Sequence, residues 1–247
     1  MKKILFAIAL AVVATACHTY QEEGEVKVGK IAINATTRSE VSENTDGKFV
    51  LSESLVPSAE ELKVEIEGNG ETFAWATLAE FNEAVEGGLT FTTAPYAITL
   101  SHGEKGAEGW SKPYFEGSTS VEVPGYLLTA TADVAVVLTN SIIAIETTEQ
   151  FDGYFPTSSF KINKFEWDAA KEELLFLNAG KEVTITCKAT RQTGKEESFE
   201  SVVTLKPTTR HKVVFDLSTA GNAVVNISFD NEIVETIEME FEMNNNA

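Results

Sequence analysis

Apolar and polar residues alternate at every second position through most of this chain, the period of a half-buried β-strand. Leu62-Lys63-Val64-Glu65-Ile66-Glu67 alternates and stops at the turn Gly68-Asn69-Gly70. Tyr96 to Leu100 follows Pro95 and ends at Ser101-His102-Gly103, and Ser120 to Val123 ends at Pro124-Gly125. Leu127 to Leu138 is a Thr/Val/Ala-rich run that reads as one bent strand or two short ones. Ser141 to Glu146, Lys161-Ile162, Glu182 to Thr190, Glu200 to Leu205, Lys212 to Leu217 and Val224 to Phe229 read as further strands. Phe176 and its neighbours are expected to form a hairpin with Phe165 to Trp167 across the polar turn Asp168 to Glu173.

Helical spacing appears once, over Trp75 to Glu86, where Leu78, Phe81 and Val85 fall on one face ahead of Gly87-Gly88. Many short strands between turn signals predict an all-β chain of two tandem β-sandwich domains, immunoglobulin- or transthyretin-like, with at most one short helix. The expected division is a signal peptide over 1–16, a tether over 17–23, an N-terminal sandwich over 24–132 and a C-terminal sandwich over 133–247. Near the chain end, Ile237, Met239, Phe241 and Met243 alternate with Glu238, Glu240 and Glu242. That strand has one greasy and one acidic face. It suits either the last strand of a sandwich or a strand donated to a neighbouring molecule.

The first residues break the alternation. Lys2 and Lys3 precede the uncharged run Ile4–Ala16, and Ala14-Thr15-Ala16 leads directly into Cys17. The run is short for a bilayer span, which needs about 20 residues, and fits a cleaved secretory signal. Ala14-Thr15-Ala16-Cys17 also resembles the bacterial lipobox, which implies lipidation at Cys17, where several acyl chains would anchor the protein in the outer membrane. Without its leader the chain carries 17 − 38 = −21 charges, because Lys2 and Lys3 leave a total of 19 basic residues against 38 acidic ones. Such acidity repels phosphate backbones, so nucleic acid is not an expected partner. With Cys17 acylated, Cys187 has no intramolecular disulfide partner. It shares a strand face with Val183 and Ile185 and reads as a small core residue.

The sequence contains no recognisable catalytic constellation. His18, His102 and His211 do not have metal-ligand spacing, so no metal or other cofactor is expected. No nucleophile elbow, Walker loop or dinucleotide glycine fingerprint is present. The Gly-rich stretch Gly103 to Gly109 carries Glu104 and Glu108, which suits it poorly to phosphate. Trp110 and Tyr114 are the candidate aromatic ligand contacts, either stacking on sugar rings or anchoring a structured turn at Pro113.

Three segments together resemble the Bacteroidales lipoproteins grouped as domain of unknown function 4493. They are Tyr96-Ala97-Ile98-Thr99-Leu100-Ser101-His102-Gly103, Gly109-Trp110-Ser111-Lys112-Pro113-Tyr114-Phe115-Glu116-Gly117 and Leu138-Thr139-Asn140-Ser141. Phe115 stands where a second tyrosine is usual, and Val137 to Asn140 replaces a cysteine-bearing version. A more distant resemblance is to the fimbrillins, lipoprotein precursors with two β-sandwiches. In those, an arginine-specific protease removes an N-terminal strand and the next subunit fills the groove. That resemblance implies a strand over Lys30 to Ala35 and a cleavage site at Arg38, within a polar loop running to Gly47. It also implies a donor strand, for which Ile237 to Met243 is the candidate. The expectation is a non-catalytic, surface-exposed lipoprotein of fimbrial or adhesin type, with other fimbrial subunits or a host surface protein as partners. The alternative is a glycan-binding lipoprotein of a nutrient-uptake system.

Overall fold

The computed structural model describes residues 27–43, 47–218 and 223–239. The first half runs β1 (Val28–Thr37), β2 (Glu40–Glu43), β3 (Gly47–Val50), β4 (Lys63–Gly68), β5 (Glu71–Trp75), α1 (Leu78–Glu86), β6 (Phe91–Thr92), β7 (Pro95–His102), β8 (Gly109–Trp110), β9 (Phe115–Glu122) and β10 (Thr129–Leu138). The second half runs β11 (Ser141–Thr147), α2 (Glu149–Tyr154), β12 (Thr157–Ile162), β13 (Phe165–Trp167), β14 (Leu175–Leu177), β15 (Glu182–Thr190), β16 (Glu196–Thr204), β17 (Thr209–Ser218), β18 (Ala223–Phe229) and β19 (Glu232–Met239). The protein is an all-β chain.

The first sheet has the order β5-β4-β7-β9-β10-β1-β6. Its two edges meet: the Phe73 ring of β5 lies 5.4 Å from the Phe91 ring of β6, edge to face. The sheet is thus rolled, and its inward residues fill one core that includes Ile31, Val64, Ile98, Phe115 and Val134. Helix α1 caps this core with Leu78 and Phe81. Thr77 starts the helix by accepting from the Glu80 N–H, and the Glu80 carboxylate accepts from the Ala76 N–H.

The second core lies between two sheets. One has the order β19-β18-β17-β11-β14-β8, with β2 on β17 and β3 on β2; the other is β13-β12-β15-β16. Ile185, Phe199, Phe215 and Val225 interdigitate there, and the ring of Phe151 from α2 packs on Phe155 and Phe215. Cys187 sits in this core with Val183 and Ile185, and burial pushes its thiol up to about 12.

Several pairings differ from the local pattern. The helix α2 is a second one, six residues long and capped by Thr148, whose side chain accepts from the Phe151 N–H. Phe165–Trp167 and Leu175–Leu177 do not form a hairpin: β13 pairs with β12, whereas β14 pairs with β11 and β8 in another sheet. Leu175, Phe176 and Leu177 are all buried, so that strand is covered on both faces and has no solvent side to alternate with. The run from Leu127 contains one strand, β10, which passes Ala132 without a break. Leu138 and Ile142 belong to the first core and Ile143 to the second, while Phe176 returns to the first.

Candidate functional site

The segment between β7 and β9 joins the two cores. Gly103, at φ 91°, turns the chain so closely that a Cβ would lie 2.4 Å from the Pro113 carbonyl oxygen. The chain then crosses to the second sheet, where Gly109 and Trp110 pair with Phe176 and Leu175 and the Ser111 N–H donates to the Leu174 carbonyl at 2.9 Å. It returns at Tyr114, whose N–H donates to Asn140 Oδ1 at 2.5 Å. Thr139 donates to the Tyr114 carbonyl through both its N–H (2.9 Å) and its hydroxyl (3.2 Å). Ser141 Oγ donates to the Lys206 carbonyl at 2.7 Å, and the Thr208 hydroxyl donates to the Leu138 carbonyl at 2.8 Å. Leu138-Thr139-Asn140-Ser141 is therefore a staple, holding the crossing segment on one side and the turn before β17 on the other.

The staple presents a polar cluster to solvent. The Tyr114 hydroxyl donates to Glu116 Oε2 at 2.5 Å, and the Lys105 ammonium donates to the same oxygen at 2.8 Å. These two donors, Lys105 foremost, hold the Glu116 carboxyl below its ordinary value. Burial, reinforced by the Glu116 bond, pushes the Tyr114 phenol up to about 12. Two clefts flank this cluster and share Lys105, Tyr114 and Glu116. One, of about 430 Å³, is lined by Lys63, Glu65, Thr99, Ser101 and Ser118; the other, of about 440 Å³, by Thr139, Asn178 and Lys181. The first follows from strand register, which sets Lys63 opposite Ser101, Glu65 opposite Thr99, and Thr99 opposite Ser118 on one face of the sheet. Hydroxyls, ammonium groups and carboxylates at this spacing make a surface suited to a polyhydroxylated ligand.

The two candidate aromatic contacts part company here. Trp110 is half-buried against the second core, 5.5 Å from the Trp167 ring, with the Lys171 ammonium 5.0 Å from its centroid. Tyr114 is 7 % exposed and offers its hydroxyl rather than a ring face. Arg38 is exposed, and it directly follows β1, with its N–H donating to the Val136 carbonyl at 2.9 Å. The polar stretch after it is not an open loop, because Glu40–Glu43 forms β2 on β17 and β3. Arg210 explains that docking: its guanidinium pairs with Glu43 and lies 4.6 Å from the Phe49 ring centroid. Ile237 and Met239 lie on β19, at the sheet edge and paired to β18. Cys17, the signal peptide 1–16, the tether 17–23, Phe241, Met243 and residues 44–46 lie outside the described residues.

The staple and the Tyr114–Glu116–Lys105 cluster were not legible as one site, although Tyr114 and the segment Leu138-Thr139-Asn140-Ser141 each stood out in the sequence. The cleft beside the cluster needs the register of three strands, β4, β7 and β9, to form. His211 is also drawn into a pair that its sequence position does not announce. Its Nδ1 lies 2.7 Å from Asp230 Oδ2, fully buried, and its ring stacks on Phe229 at 4.9 Å. Among the described residues no three His, Cys, Asp or Glu side chains gather to hold a metal, and no helix is long and apolar enough to cross a membrane.

The structure overlaps a candidate polysaccharide-binding protein from Bacteroides thetaiotaomicron with a TM-score of 0.40 and 9 % identity, over 74 % of this chain and 91 % of that one. It overlaps a candidate cell adhesion protein from Bacteroides eggerthii with a TM-score of 0.39 and 9 % identity, over 83 % and 96 %. A candidate adhesin from Bacteroides ovatus gives 0.38 and 9 %, over 86 % and 95 %. Overlaps this loose carry no functional argument. No curated protein matches the sequence. Residues 22–245 match a single family over nearly the whole length of the chain. That match spans the crossing segment, the staple and both cores, and the chain belongs to the family described as Domain of unknown function (DUF4493).

Proposed function

We propose that this chain is a non-catalytic, lipid-anchored cell-surface protein of fimbrial or adhesin type, tethered at Cys17 and assembled by strand exchange after a cut at Arg38. The observation that carries the reading is the placement of β1. It lies between β10, to which it is parallel, and the two-residue strand β6. It belongs to no hairpin, so it can leave without unmaking a turn. Its inward residues Ile31 and Ile33 fill the first core, and burial of each such side chain contributes about 1.5–3 kcal/mol. A cut at Arg38 leaves β2 and β3 held on β17 and opens a groove between β10 and β6. Refilling that groove favours a strand from another subunit. Ile237 and Met239 could serve only if β19 leaves β18, which its edge position allows.

Treating the folded precursor with an arginine-specific protease tests this. The expected result is a new N-terminus at Ser39, loss of the Lys27–Arg38 segment and growth of higher-mass species on size exclusion. A chain cut there that stays monomeric, or one that is never cut there, overturns strand exchange. The clefts around Tyr114, Glu116 and Lys105 favour a second reading, glycan binding on the cell surface. On that reading, Glu116→Gln and Tyr114→Phe abolish retention on a glycan array that the unaltered chain binds. Retention unchanged in both variants refutes it.

A further inference from the structure

The loop between β9 and β10 carries the largest contiguous run of exposed apolar side chains among the described residues. Tyr126, Leu127 and Leu128 are 61 %, 55 % and 58 % exposed. Tyr126 and Leu127 lie at φ 61° and 59°, the left-handed region that L-residues seldom enter, and two consecutive residues there are rarer still. The backbone around them is tightly held. The Leu127 N–H donates to the Val28 carbonyl at 2.9 Å, the Lys30 N–H donates to the Leu128 carbonyl at 2.8 Å, and the Leu128 N–H donates to the Gly125 carbonyl at 3.3 Å. The loop lies so close to β1 that a Cβ on Gly29 would fall 2.1 Å from the Pro124 carbonyl oxygen. A strained backbone fixed in this way holds three large apolar side chains more than half exposed at the surface, an arrangement that marks an interaction surface.

The position of the loop identifies what it meets. It clasps the first residues of β1, where the described chain begins. Val28 is 28 − 17 = 11 residues beyond Cys17. Eleven residues extend to about 40 Å at most, so an acylated Cys17 holds this end of the molecule within that distance of the bilayer. Three side chains are far fewer than the 20–30 residues that a stable protein interface uses on each side. They do suit the headgroup boundary, where a tyrosine ring sits with its hydroxyl toward water and leucine side chains reach the acyl region. We infer that Tyr126-Leu127-Leu128 is a membrane-contact site that seats the protein against the lipid surface holding its anchor. This rests on the proposed acylation of Cys17. The bonds from Val28 and Lys30 to the loop also link the contact to β1, so removal of β1 would loosen the contact as it severs the tether.

The test uses the acylated full-length chain in phosphatidylcholine vesicles, with a nitroxide on Leu127→Cys and, separately, on Ile233→Cys. Cys187 is fully buried and escapes labelling in the folded protein. The expected result is a severalfold rise in the ratio of oxygen to nickel-chelate accessibility at 127 on vesicle addition, with no change at 233. A chain that does not float with the vesicles overturns the lipid anchor and this inference with it. A floating chain whose label at 127 behaves like that at 233 overturns the membrane contact alone. So does spin–spin broadening at 127, which would make a second copy the occupant.

Discussion

Replacing Asn140 by alanine isolates the strongest part of the staple. Asn140 is 3 % exposed, and its Oδ1 is the acceptor for the Tyr114 N–H at 2.5 Å. Alanine leaves that buried N–H unpaired, which costs about 1–3 kcal/mol, and removes the longer bond from Nδ2 to the Ala107 carbonyl at 3.5 Å. The expected loss is about 2–3 kcal/mol, or a fall of about 4–12 °C in Tm for a chain of this size. Thr139→Val supplies the contrast. It deletes a 3.2 Å bond to a carbonyl that keeps the Thr139 N–H at 2.9 Å, so no buried group is orphaned and the cost stays below about 1.5 kcal/mol. Urea unfolding followed by circular dichroism measures both. If N140A lies within about 0.5 kcal/mol of the unaltered chain, or T139V costs more than N140A, then the staple does not work through the Tyr114 amide.

Glu116 has a folded-state pKa below its ordinary value of 4.5, so its stabilising effect is complete above that value and is lost as pH falls through the folded value. The stability gap between the unaltered chain and E116Q, measured by urea titration, should therefore shrink on acidification; a gap independent of pH would contradict the Lys105 pairing. Cys187, pushed up from 9 to about 12 by burial, should resist an aromatic disulfide reagent at pH 8 until the protein unfolds, and rapid native-state reaction would show that its strand is open. Gly29→Ala forces the new Cβ against the Pro124 and Leu128 carbonyl oxygens, 2.1 and 2.8 Å away, at a cost of about 1–3 kcal/mol. Hydrogen exchange at the Lys30 amide should accelerate as β1 lifts from the loop, and unchanged protection would show that the close approach is not required.

Legibility followed the range of the interactions. Strands whose two faces differ in solvent exposure were readable: Leu62 to Glu67 became β4, and Glu182 to Thr190 became β15 with Val183, Ile185 and Cys187 inward. Helix α1 was readable because Thr77 and Glu80 cap it locally and Leu78 and Phe81 mark its face. Helix α2 was hidden because six residues, Gly153 among them, give too little periodicity to detect. Partner choice was not readable where it depends on distant segments. The parallel ladders β1–β10, β11–β17 and β2–β17 have no connecting turn whose residues could announce them. For the same reason Trp110 and Tyr114, four positions apart, read in the sequence as one aromatic group. The crossing of the chain between two sheets sends one ring to Trp167 and the other hydroxyl to Glu116.

The docking of β2 on β17 also sets a schedule. Glu43 and Arg210, which pair across that ladder, are 167 positions apart in sequence. At about 5–20 residues per second, the ribosome needs roughly 8–33 s to deliver the arginine after the glutamate has emerged. Through that interval the hairpin Glu40–Val50 has no neighbour to accept its outer edge. Its own composition suits the delay: Glu40, Glu43 and Lys48 are charged, and Lys48 already bonds Glu40 at 2.8 Å across the hairpin. Two of the earliest strands to be made, β2 and β3, are thus among the last to be seated, and their charges disfavour stray pairing at the open edge until β17 exists.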